Sequence, residues 1–194
     1  MIEEPRYATA EKAFQLVTHV DLADGGSAVR VELEFLAPKE MRLDKNRPKL
    51  IAGFRVLQVE ACGAAFVDPK AVEISGAMTS GAANTVRVQV ASLPDFAILK
   101  ALAIGGREKP KDAYDLCYCL DEAPPEFIAS TWRQRRGDPL LETAIKILRE
   151  KFASVDHFGP QQVATFHQSG THDEGDRHAR RAYELVQKLL RALA

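Results

Sequence analysis

The chain has 194 residues, enough for one domain or a small two-lobed unit with a real core. Its formal charge of -1 gives no global pull towards nucleic acid or an anionic membrane, so any phosphate recognition must be local. Three cysteines (Cys62, Cys117, Cys119) without disulfide-framework spacing point to reduced thiols in a cytoplasmic setting, and no apolar run approaches membrane-spanning length.

Met1 to Lys12 is polar and irregular, and Met1-Ile2-Glu3-Glu4-Pro5 lacks the basic and apolar regions of a secretory signal. Phe14 to Leu22 alternates as a strand, Ala23 to Ser27 is a turn, and Val29 to Phe35 alternates more cleanly, so the three segments predict a β-hairpin. On its second strand Val29, Val31, Leu33 and Phe35 are expected to face the core, with Arg30, Glu32 and Glu34 opposite. Pro38 to Pro48 reads as a charged connection. Ile51 to Glu60, Val72 to Ser75 and Val86 to Val90 read as further strands, with Gly76 to Asn84 as a small-residue loop.

Helix signals then take over. Ser92 followed by Asp95 forms a capping box, Gly105-Gly106 supplies a left-handed stop, and a helix is predicted over about Leu93 to Ile104. A short basic loop with Arg107 and Lys109 leads to Pro110, which opens a second helix reaching about Leu120. Phe96, Lys100, Ala103 and Ile104 share one face of the first helix, which puts a lysine in the apolar stripe. Such a lysine must snorkel, meet a carboxylate or meet a ligand anion, and spacing alone favours snorkelling. The second helix carries Asp112, Asp115 and Cys119 on one side. Dipole complementarity and a Lys111 to Asp115 pair explain its aspartates at little energetic value. Cys117 and Cys119, two apart on a helix, do not suit a chelating pair.

Pro124-Pro125-Glu126 opens a helix through Trp132, closed by Arg133-Gln134-Arg135-Arg136, a run that reads as a solvated helix end rather than an RNA patch. Asp138-Pro139 caps a helix with the stripe Leu141, Ala144/Ile145, Leu148, Phe152. Gly159-Pro160 marks a loop, Gln161 to His167 a short helix, and the last helix starts between Thr171 and Asp176 with Ala182, Leu185/Val186, Leu189 and Leu193 inward. His167, His172 and His178 do not share one face, which argues against zinc. The whole is α+β: a β-rich half over residues 1–91 and a helical half over 92–194.

The run "SLPDFAILKALAIGGREKPKDAYDL" resembles the C-terminal signature of the AbiEii/AbiGii-type toxin nucleotidyltransferases, members of the polymerase-β-like nucleotidyltransferase superfamily. In that family a helical lysine, a basic loop and a Lys-Asp-x-x-Asp-Leu helix lie beside the active site. The resemblance carries over to Lys100, Arg107, Lys109, Lys111, Asp112 and Asp115, and extends more loosely over the strands from Phe14 to Val90. It implies a nucleotidyltransferase-like mixed sheet followed by helices, with transfer of a nucleoside monophosphate from an NTP to an RNA or protein acceptor. Mg²⁺ and the NTP would be the cofactors and an antitoxin protein a partner. Lys100, Asp112 and Glu34 would be catalytic, Arg107, Lys109, Lys111 and Asp115 would contact the nucleotide, and Glu32 and Glu34 the metal.

The superfamily also places a Gly-Gly/Ser turn before an acid-hydrophobic-acid strand, with a third acid on a later strand. Here Gly25-Gly26-Ser27 stands too close to Glu32 for that arrangement, and no Asp-x-Asp occurs. The preferred mapping makes Val31 to Phe35 the strand of the third acid and the chain an N-terminally truncated or degenerate member. Another makes Glu32 and Glu34 the metal-binding pair themselves, since two carboxylates at i and i+2 point at the same cations. A third leaves them as the solvated face of an edge hairpin. The alternatives to an enzyme are a catalytically inactive remnant binding a nucleotide or partner, and an unrelated α+β interaction domain.

Overall fold

The computed structural model describes residues 8–9, 11–21, 25–43, 50–51, 54–78, 81–167 and 172–194. The fold is α+β, with small sheets in the N-terminal half and helices in the C-terminal half. The chain divides into two compact units, one of Met1–Gly63 with Lys70–Val90 and one of Ala64–Pro69 with Ala91–Ala194.

In the strand-rich unit, β1 (Ala8–Thr9), β2 (Gln15–Val20) and β3 (Val29–Glu34) form an antiparallel sheet in that order. The expected hairpin is present, in the register Gln15↔Glu34 through Val20↔Val29. β1 is a strand within the segment expected to be irregular. The apolar side of β3 departs from expectation: Val29 and Leu33 are 45% and 41% exposed rather than core-facing. Alternation fixes which side chains share a face, but nothing in it guarantees a layer to cover that face.

β4 (Leu36–Pro38) pairs in parallel with β7 (Leu57–Val59), and β5 (Leu50–Ile51) pairs with β6 (Phe54–Arg55). Phe35 stacks on Phe54 with ring centroids 4.6 Å apart. The Gln58 amide donates to the Pro38 and Met41 carbonyls at 3.1 and 2.8 Å, tying down the start of the charged connection, whose residues 44–49 lie outside the described residues. A 3-10 helix, Glu60–Phe66, replaces the end of the strand expected to reach Glu60.

β8 (Lys70–Ala77) and β9 (Ala83–Val90) make a hairpin longer than alternation suggested, because backbone pairing continues through the small residues Gly76, Ala77, Ala83 and Asn84. Its tight end has Gly81 at φ +83, a conformation that glycine adopts without strain. Val72, Ile74, Val86, Val88 and Val90 share one face, while Glu73 opposes Arg87 and Ser75 bonds Thr85 on the other.

The helical unit contains α1 (Leu93–Gly106), α2 (Pro110–Glu122), α3 (Pro125–Gln134), α4 (Pro139–Lys151), α5 (Phe158–Phe166) and α6 (His172–Ala192). The stripes read from sequence meet in one core, where Ile98, Leu116, Trp132, Leu148, Phe152 and Leu189 are fully buried. Burial of side chains this size contributes about 1.5–3 kcal/mol each. The indole N–H of Trp132 donates to the Pro94 carbonyl at 3.1 Å, so the ring is buried without an orphaned donor.

Several terminal signals work differently from their sequence reading. Gly105 and Gly106 belong to α1, and neither takes the left-handed conformation. Gly105 lies close against α4, where an added Cβ would be 2.5 Å from Cδ1 of Ile147 and that side-chain end would have to shift. Gly159 and Pro160, expected in a loop, form the first turn of α5, where the missing proline N–H is no loss. Asp138 caps α4 as expected, accepting from the Leu140 N–H at 2.9 Å. In the basic run that closes α3, Arg133, Gln134 and Arg136 are exposed as a solvated helix end requires, while Arg135 is half-buried. Arg135 pairs with the fully buried Asp95 and with Asp138, and Arg133 and Arg136 donate to the Ala192 and Leu193 carbonyls at the end of α6. Burial opposes the charge on Arg135, but its two carboxylate partners more than offset this and raise its pKa.

Candidate functional site

The α1–α2 pair creates the charged cluster. Ser92 caps α1, its Oγ accepting from the Asp95 N–H at 3.3 Å and donating to Asp95 Oδ2 at 2.7 Å, while the Asp68 N–H donates to the same oxygen at 3.2 Å. Arg135 completes the cage around Asp95. The first turn of α1 is therefore fixed by charge-assisted bonds, two turns before Lys100 leaves the same helix.

Lys100 does not snorkel. Its side chain is 17% exposed, and its Nζ lies 3.0 Å from Asp112 Oδ1 and 2.7 Å from Asp115 Oδ2, with the Phe96 ring centroid 5.4 Å away. The α1 backbone ends at Arg107, whose Nε donates to Asp112 Oδ2 at 2.7 Å and Nη2 to Asp112 Oδ1 at 3.0 Å. This forked pairing on one carboxylate is geometry that lysine cannot supply. Lys111 reaches Asp115 at 2.8 Å from the first turn of α2. Lys109 stays exposed at the N-cap of α2, outside this set of ion pairs.

Three cations thus meet two carboxylates. Asp112 is 2% exposed: burial pushes its carboxyl up, but bonds from Arg107 and Lys100 outweigh that and leave its pKa below the usual carboxylate value. The Arg107 and Lys111 side chains remain 52% and 67% exposed. An oligophosphate arriving there would compete with Asp112 and Asp115 for the same donors. The cluster holds an ammonium and a guanidinium in fixed positions around Asp112.

Glu32 and Glu34 belong to the strand-rich unit and do share one face of β3. Glu32 pairs with Arg30, and Glu34 accepts from the amide of the buried Gln15. Among the described residues no three His, Cys, Asp or Glu side chains gather as a metal site. The two glutamates are hard oxygen donors, the right kind for Mg²⁺, but they are two, and one is already neutralised by a cation. As they stand they do not make a complete magnesium site.

The cysteines are not reactive groups. Burial and then Asp121 push the Cys117 thiol up to about 12, and burial takes Cys119 to about 11. His167 and His178 stack in parallel with centroids 3.7 Å apart, an arrangement that does not chelate, and the His172 side chain lies outside the described residues. Sequence spacing missed the aromatic cluster around that pair. Tyr114 stacks on Phe166 at 4.2 Å and meets His167 edge-on at 5.3 Å. The available signal was the i, i+3, i+4, i+7 set Lys111, Tyr114, Asp115, Tyr118, which lays aromatics on the charged face of α2.

No helix among the described residues is long and apolar enough to cross a membrane. No curated protein and no solved structure matches the chain. One family model, described as nucleotidyl transferase AbiEii toxin of type IV toxin–antitoxin systems, matches residues 18–184. That span takes in β3 to β9 and the helical cluster just described, and the chain belongs to the AbiEii nucleotidyl transferase toxin family.

Proposed function

We propose that the chain moves a nucleoside monophosphate from an NTP to an RNA or protein acceptor, with the α1–α2 cluster receiving the triphosphate. The observation that supports this most directly is the position of Lys100, drawn out of an apolar stripe and held between Asp112 and Asp115. Lys100 and Arg107 neutralise charge on the phosphate oxygens, Lys111 and Lys109 meet the outer phosphates, and Asp115 aligns the two lysines. An acceptor oxygen bonds to the α-phosphorus as the bond to pyrophosphate breaks, and Asp112 keeps the two cations where that charge develops. Mg²⁺, when bound, would supply Lewis-acid chemistry, and Glu32 and Glu34 are the hard oxygen donors we propose the strand-rich unit would offer it, Glu32 once released from Arg30. An antitoxin protein as partner and a cytoplasmic setting follow the family and the free thiols.

The test is incubation with labelled NTPs, Mg²⁺ and total RNA. The wild type should transfer label, and Lys100→Ala should lower the rate roughly a hundredfold or more, the scale of losing one preorganised donor. Glu34→Ala should also lower it. Equal transfer by Lys100→Ala and wild type would end the assignment of the cluster. A second reading, a nucleotide- or partner-binding remnant without turnover, is favoured by the pairing of Glu32 with Arg30. Wild-type NTP binding without transfer under any divalent metal would establish it.

A further inference from the structure

Two ties fix the direction in which α4 runs beside α1. Arg135 joins Asp138, the N-cap of α4, to Asp95 in the first turn of α1. Gly105, in the last turn of α1, lies against Ile147 towards the other end of α4. The two helices therefore run parallel, and α4 ends at the same end of the helical unit as Arg107 and the first turn of α2. The chain leaving α4 arrives there as the loop from Phe152 to His157.

That loop is held on several sides. The His157 N–H donates to the Ser154 carbonyl at 3.2 Å and closes a four-residue turn. The Gln161 amide of α5 donates to the Val155 carbonyl at 3.1 Å, and the Gln187 amide of α6 to the Phe152 carbonyl at 2.8 Å. Phe152 is itself fully buried, its ring in the space a Cβ at Gly159 would need. Within the turn Ser154 Oγ and His157 Nδ1 stand 2.7 Å apart. With the imidazole proton on Nε2, Nδ1 accepts from the hydroxyl and is a base placed to receive its proton. By contrast the hydroxyls of Ser130, Thr131, Thr143 and Thr165 donate to carbonyls of their own helices, which take up no proton. Ser154 is half-buried and His157 exposed, so the hydroxyl is both held and within reach of solvent.

We infer that Ser154 is a nucleotidyl acceptor within the chain itself, with His157 as its base. The inference rests on the transferase reading and gives it an acceptor of its own. Ser154 Oγ bonds to the α-phosphorus of an NTP as the bond from that phosphorus to the pyrophosphate oxygen breaks. The hydroxyl proton passes to His157 Nδ1, and pyrophosphate leaves with the electron pair. The product is a phosphodiester on Ser154, at the end of the helical unit where Arg107 and Lys111 stand.

The experiment incubates the full chain with each labelled NTP and Mg²⁺, with and without total RNA, and reads the intact mass and the labelled peptide. A gain of one nucleoside monophosphate on Ser154 is expected. Ser154→Ala should abolish it, and His157→Gln should slow it about a hundredfold, the scale of one general base. A thermal melt matching wild type checks that neither variant disturbs the fold. Label on RNA with none on Ser154 overturns the inference and leaves the transferase reading in place. Label on a different residue, or an equal rate in His157→Gln, overturns it too. Equal labelling of Ser154 in Lys100→Ala and wild type keeps the acceptor and removes the α1–α2 cluster as the triphosphate site. No label on RNA or protein with any NTP defeats both.

Discussion

The two units of the chain solve the burial problem differently. In the helical unit the stripes of α1 to α6 close on one another around Trp132, and even a charged group, Asp95, is taken fully out of solvent because three donors meet its carboxylate. In the strand-rich unit the described residues that leave solvent are Gln15, Thr18 and Ala37, two of them polar, while Val29, Leu33, Phe54, Leu57, Ile74 and Val86 each remain more than two-fifths exposed. Two-stranded ribbons with one uncovered apolar side gain little from burial, whatever the quality of their pairing. Packing therefore holds the helical unit rigid on its own terms, and the strand-rich unit relies on backbone ladders and local side-chain bonds. Charged groups that must keep a fixed geometry, such as Lys100 and Arg107, are better placed on the first kind of scaffold.

The sharpest way to break that contrast is to remove Arg135. Arg135→Ala leaves the Asp95 carboxylate buried with its charge uncompensated and should cost about 3–5 kcal/mol. Trp132 is the single tryptophan of the chain and lies in the helical unit, so its fluorescence in a urea titration reads this loss directly. A loss under about 1 kcal/mol would mean that the cage is not holding the unit together.

A matched pair of leucines comes next. Leu148→Ala, at a fully buried position, should cost about 2–5 kcal/mol, whereas Leu33→Ala, at a largely exposed one, should stay within about 0.5 kcal/mol. Both are read by circular dichroism in denaturant. Equal costs would show that the apolar face of β3 is covered in solution and would erase the contrast.

The smallest effects are on pH, and they fall in the helical unit. Burial, then the neighbouring His178, holds the His167 pKa below its ordinary value, so the unfolded chain takes the proton first. Stability from this group is complete at neutral pH and is lost as pH falls below about 6.5. His167→Gln should flatten that slope. Asp112 has the same sign in a lower window: its depressed pKa gives stability that is present above about pH 4 and lost as pH falls through the folded value. A thermal-melt series from pH 7.5 to 3 should resolve the two losses, the first missing in His167→Gln and the second in Asp112→Asn.

Local physics was legible in the sequence and long-range physics was not. The helix stripes from Leu141 to Phe152 and from Ala182 to Leu193, the Asp138 cap and the β2–β3 hairpin depend on neighbours within a turn or a short loop, and spacing reports them. The family signature set Lys100 and Asp112 beside one site, and within the helical unit they meet, with Asp115 as a second partner that had been assigned to Lys111. Spacing alone had preferred snorkelling. Arg135 looked like a solvated helix end because its partner Asp95 lies 40 residues earlier. Gly105 looked like a cap because the side chain it packs against, Ile147, belongs to another helix. The β3 pattern was right about shared faces and wrong about burial, since alternation says nothing of whether a second layer exists.

The seating of Gly105 on Ile147 has a further consequence. Arg107 follows two residues later at the end of α1, so a shift of α1 against Ile147 would move the point from which that guanidinium reaches. A trimmed or enlarged side chain at position 147 would act on the Arg107 loop from behind, as an adjusting screw acts on a lens mount. Helix α4 would then tune the cluster without supplying any of its charges.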